Sequence, residues 1–141
     1  MTKTKSVQKI SSSQRASKKD NRKEIFQKLR AILSTYSPPL TAVSDFDSRY
    51  ELVSKKEAEW AGRKFKEMYF GAAITQSNYV GLYLMHVYAH PENCNKISPE
   101  LSKCLKGKSC FHIKTGDKQL MQQIKQTVKD GFNFYKKVKF I

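Results

Sequence analysis

Between Met68 and Ile113 the chain offers few alternatives to a β-sheet. Lys64 to Thr75 and Tyr79 to Tyr88 are dense in aromatic and β-branched residues, and only Gln76-Ser77-Asn78 separates them. Such runs favour a pleated surface, and a short polar turn between them predicts a hairpin. In the second run Val80, Leu82 and Leu84 alternate with Tyr79, Tyr83, Met85 and Val87. A strand sends successive side chains to opposite faces, so an apolar set on each face predicts an interior strand. Gly71 and Gly81 mark expected bulges or close backbone approaches. Lys108 to Lys114 alternates more simply, with Phe111 and Ile113 on a core face and Lys108, Cys110, His112 and Lys114 on a wetter one. Between these strands Pro99 to Leu105 reads as a short helix, with Gly107 closing it in a left-handed conformation.

The flanking segments supply cover for that sheet. Asn21 followed by Glu24 has the spacing of a helix capping box, and Ile25, Phe26, Leu29, Ile32 and Leu33 recur at helical spacing behind it. Pro38 and Pro39 stop the helix near Tyr36. Leu40 to Val43 and Arg49 to Ser54 then flank Ser44-Asp45-Phe46-Asp47-Ser48, which reads as a hairpin loop. The last helix is expected from Asp117 to Lys137, with Leu120, Ile124, Val128 and Tyr135 on its apolar stripe and Met121 and Phe132 beside it. The order α-β-β-β-β-α-β-α predicts an α+β fold, a five-stranded, mainly antiparallel sheet with helices packed on one side. Leu82, Leu84, Phe111, Ile124 and Val128 are its expected core.

Charge constrains the partners. The 141 residues carry 27 Lys and Arg against 12 Asp and Glu, a formal net charge of +15. Such an excess favours nucleic acid, an anionic surface or an acidic protein over cationic ligands. Residues 1–19 are basic and nearly free of apolar side chains, so they cannot bury enough surface to offset ordering entropy. They read as a disordered basic arm, solubilising or nucleic-acid-binding, ahead of one domain over residues 20–141. Lys118, Lys125, Lys129 and Lys136 fall on one side of the last helix, the solvated side of any amphipathic helix. No apolar run is long enough to span a bilayer and the start has no signal-like apolar region, so a cytoplasmic, non-membrane protein is expected.

Recognised chemical motifs are scarce. Cys94, Cys104 and Cys110 lack the two-residue separation of a zinc knuckle or redox pair, and reduced thiols are expected. Gly107-Lys108-Ser109 resembles the end of a phosphate-binding loop, but Ser102 stands where its first glycine belongs and a strand rather than a helix follows. His86 and His90 share a strand face yet lie about 13 Å apart at the usual rise per residue, too far for one ion. His112, with Cys110 or Cys94, is the remaining route to a metal site using one of them. Cys110 and His112, two apart on one face, are the remaining route to a nucleophile–base pair.

The pieces Arg49-Tyr50-Glu51-Leu52, Tyr79 to Met85, His90-Pro91-Glu92, Ile97-Ser98-Pro99-Glu100-Leu101 and Leu105 to Phe111 resemble the YdhG-like family of small α+β domains, mostly of unknown function. The resemblance covers Ile25 to Lys137 and implies a compact α+β domain. The family includes a member described as a frataxin-like iron chaperone, which implies iron handling for iron–sulfur assembly as the alternative function. Here Glu57, Glu59 and Glu67 are interspersed with Lys55, Lys56, Arg63, Lys64 and Lys66. The leading expectation is a non-enzymatic binding module without metal or cofactor. Its basic, aromatic-edged sheet surface would hold an anionic ligand or partner through Tyr79, Tyr83, His86, Tyr88, Lys108, His112 and Lys114, with Trp60 at the margin.

Overall fold

The computed structural model describes residues 20–89, 97–107 and 109–141. The expected arm at residues 1–19, together with His90, Cys94 and Lys108, lies outside them. Helix α1 (Arg22–Ser34) leads into strands β1 (Thr41–Phe46) and β2 (Arg49–Ser54). A small hairpin follows, β3 (Ala58–Trp60) and β4 (Arg63–Phe65), then the long strands β5 (Met68–Thr75) and β6 (Val80–Leu84). After β6 come α2 (Met85–Ala89), α3 (Pro99–Ser102), β7 (Leu105–Lys106), β8 (Cys110–Ile113) and α4 (Lys118–Lys137).

The fold is α+β with an antiparallel main sheet, but that sheet has six strands rather than five, in the order β1-β2-β5-β6-β8-β7, and β3–β4 forms a separate two-stranded sheet. Two elements account for the difference. The two-residue strand β7 pairs with β8 through the Gly107 turn, so Gly107, at φ +77°, closes a hairpin instead of ending the helix, which stops at Ser102. The expected strand from Lys64 is broken after Phe65, because Ala61 and Gly62 take the positive φ of a tight turn and fold Arg63–Phe65 back on Ala58–Trp60.

One sheet face is dry. Tyr50, Ala73, Leu82 and Phe111 line up across β2, β5, β6 and β8 and are buried against Ile25, Leu29 and Leu33 of α1 and Ile124 and Val128 of α4. All five expected core residues have no solvent-exposed surface. The α4 N-terminus is capped by Asp117, whose carboxylate accepts from the Leu120 amide at 3.0 Å. Asn21 occupies the α1 N-cap position but does not cap with its side chain; its amide instead donates to the Lys114 carbonyl at 3.3 Å, tying α1 to the end of β8.

The region after Leu84 departs from the expected strand. Met85–Ala89 is a helical turn, although His, Val and Tyr favour strands. Tertiary packing overrides that preference: Val87 is buried, and the His86 ring, 2% exposed, lies directly on the Gly131 backbone of α4. A Cβ on Gly131 would sit 2.5 Å from His86 Nδ1, so only glycine leaves room for the imidazole.

Candidate functional site on the open sheet face

The sheet face turned away from α1 and α4 is ordered by strand register. Phe46, Arg49, Ile74, Gly81 and His112 form one cross-strand row. Ser44, Glu51, Ala72, Tyr83, Cys110 and Lys106 form the next. Directly opposed side chains on one face stand about 4.5–5.5 Å apart, close enough to interact.

At the β6–β8 end the face is aromatic. The Tyr79 ring stacks on the His112 imidazole, with centroids 3.7 Å apart and planes inclined by 11°. Tyr79 is placed there by the turn before β6, where Gln76 N donates to the Tyr79 carbonyl at 2.8 Å. Arg22 of α1 braces the same turn by donating to the Gln76 and Ser77 carbonyls at 2.8 and 3.0 Å. Tyr83 folds back along its own strand over Gly81, its ring atoms lying 2.8 to 3.1 Å from where a Gly81 Cβ would stand. Gly81 is thus a close-approach position, as Gly71 is beside the Tyr83 carbonyl. Gln76 donates to the Tyr83 hydroxyl at 3.2 Å. Burial holds the Tyr83 phenol above its ordinary pKa, reinforced by its hydrogen bond with Cys110.

Toward β2 the face is polar and already paired. The Glu51 carboxylate accepts from Arg49 Nε at 2.8 Å, Ser44 Oγ at 2.9 Å and Tyr69 Oη at 3.0 Å. The Arg49 hydrogen bond, followed by those of Ser44 and Tyr69, holds this carboxyl below the ordinary glutamate range. Burial and the adjacent Glu51 charge hold the Tyr69 phenol protonated far above neutral pH. The carboxylate within the two rows is therefore matched, while exposed Lys106 and Lys114 flank the aromatic end.

Tyr79, Tyr83, His112 and Lys114 come together as expected. Lys108 lies outside the described residues. His86 and Tyr88 do not join the site: α2 carries His86 into the helix side against Gly131 and leaves Tyr88, 45% exposed, off the sheet. Trp60 is also elsewhere, lining a cavity of about 200 Å³ with Phe65, Met85 and Phe140. Arg49, Lys106 and the 57%-exposed Phe46 belong to the face but were not expected there. Phe46 and Ser44 extend β1 into what reads as loop, because Ser44 bonds Glu51 while the Asp45 carboxylate accepts from Arg30 Nε at 3.0 Å and Nη2 at 2.8 and 2.9 Å. Their signal, a β-forming Phe between two aspartates, is too local to give a register.

Cys94 and His90 lie outside the described residues, which leaves the metal route only His86, His112 and Cys110. His86 and His112 lie on opposite sides of the sheet, and among the described residues no group of three or more His, Cys, Asp or Glu could hold one ion. Glu67 is paired with Lys55. Cys110 is engaged with Tyr83 and His112 with Tyr79, while burial raises the Cys104 thiol pKa, the reverse of nucleophile activation. Among the described residues no helix is long and apolar enough to cross a membrane. No family model, curated protein or solved structure matches the chain.

Proposed function

We propose that this chain is a YdhG-like α+β domain acting as a non-enzymatic binding module, holding an anionic ligand or partner on the open face of its sheet. The observation that carries the reading is the pair of exposed lysines, Lys106 and Lys114, flanking the Tyr79–His112 stack on a face whose Glu51 is already bonded to Arg49, Ser44 and Tyr69. An anion meeting this face gains from the lysines without facing an unmatched carboxylate in the two rows. The overall charge of +15 adds long-range attraction that salt weakens.

Titration with inorganic polyphosphate tests the reading. The parent chain binds, and the affinity falls as salt rises. The double variant Lys106→Gln, Lys114→Gln binds several-fold more weakly, whereas Lys125→Gln, Lys129→Gln on α4 changes little. The opposite ranking moves the site to the helix face and overturns the proposal.

A further inference from the structure

We infer that the anion recognised by this face is a single-stranded nucleic acid, its bases stacking on Tyr79, Tyr83 and Phe46 and its phosphates meeting Lys106 and Lys114. The inference rests on the binding reading above and adds the chemical class of the ligand.

Ring presentation is the first argument. A phosphate or carboxylate gains little from an aromatic plane, whereas every base has a π-face that stacks on one. Tyr79 is backed by His112 in a nearly parallel stack, and Tyr83 is laid against the strand over Gly81, so both rings are held flat by the fold. Phe46 shares a row with His112 across four strand intervals, about 19 Å at the usual spacing, and is 57% exposed. An exposed Phe has no place in an anion site based on charge alone; it suits a third stacking position.

Shape is the second argument. The cavity of about 900 Å³ lies between α1 and the β1–β2 turn, where Phe46 borders it, and the one of about 200 Å³ lies at the Trp60 corner, both away from the Tyr79–His112 stack. A flat site of separated rings suits a ligand that makes several shallow contacts along its length. A duplex hides its base faces inside its own stack, so only a single strand can use the rings.

The test uses the full chain and a fluorescently labelled oligothymidylate 12-mer, with inorganic polyphosphate of matched charge and a 12-base-pair duplex as competitors. Stacking of about 1–3 kcal/mol per base, at 1.4 kcal/mol per tenfold, corresponds to about 5- to 100-fold in affinity for each ring. The single strand is expected to bind more tightly than either competitor. Tyr79→Leu should weaken it by that factor and weaken polyphosphate binding far less, and Phe46→Ser, at an exposed position that spares the core, should weaken it in the same direction. Equal affinity for the oligonucleotide and polyphosphate, unchanged in both variants, overturns the nucleic-acid inference and leaves the anion site standing. Tighter binding of the duplex also overturns it. Failure of every polyanion to bind overturns both proposals.

Discussion

The two faces of the main sheet solve different problems with the same strands. On the helix side, Leu82, Leu84, Phe111 and Ile113 are fully buried against α1 and α4, so identity there is dictated by volume. On the open side, Tyr79, Tyr83, Cys110 and His112 hold side chains joined by stacking and hydrogen bonds, with lysines at the edge. The contrast separates stability from recognition: changes on the first face should alter folding, and changes at the rim of the second should alter only what binds.

The largest effect should come from the dry face. Leu84→Ala removes a side chain with no exposed surface, and chemical denaturation should register a loss of about 2–5 kcal/mol. A loss below about 1 kcal/mol would mean that the face is not packed as described. Next is the helix-side lock between α2 and α4. Gly131→Ala brings a Cβ within 2.6 Å of two His86 ring atoms; strain of about 1–3 kcal/mol outweighs the helix-propensity gain of about 1 kcal/mol, and the melting temperature should drop. An unchanged or raised melting temperature would show that α2 is free to shift.

Smaller still is Glu51→Gln, which replaces an acceptor of three hydrogen bonds by a neutral one at a cost of about 1–2 kcal/mol at neutral pH. Its pH dependence has a definite sign. Glu51 has its pKa lowered in the folded state, so its contribution is complete above the ordinary value of 4.5 and is lost as pH falls through the lower folded value. The stability gap between parent and variant should therefore close on acidification and stay constant from neutral pH to about pH 6. Smallest is Lys106→Gln with Lys114→Gln, within about 0.5 kcal/mol in stability because both side chains are exposed, despite the loss in polyanion binding. A destabilisation of about 2 kcal/mol would break the division of labour between the faces.

Much of the dry face was legible because burial imposes a period. Val80, Leu82 and Leu84 alternate, Ile25, Leu29 and Leu33 recur every four residues, and both patterns survive folding. Tyr79, Tyr83 and His112 were legible for the same reason, as the other phase of that alternation. The rest depends on contacts distant in sequence. Phe46 and Arg49 reach the open face through a register that includes bulges at Ala42/Ser44 and Leu52/Val53, and Lys106 reaches it through a two-residue strand paired with β8, none of which a local pattern encodes. His86 and Tyr88 were misplaced because His-Val-Tyr favours a strand, whereas the available pocket lies over a glycine 45 residues away. Gly131 was the overlooked signal: a glycine inside a strongly amphipathic helix costs about 1 kcal/mol and calls for a close neighbour.

The most direct test of the division between faces is residue-resolved NMR of the full chain titrated with oligothymidylate at low salt. Amide and side-chain shifts should move first at Tyr79, Tyr83, Cys110, His112 and Lys114, with Lys125 and Lys129 of α4 unmoved. Shifts confined to α4 or to residues 1–19, with Tyr79 and His112 unchanged at saturation, would contradict the assignment of binding to the open face.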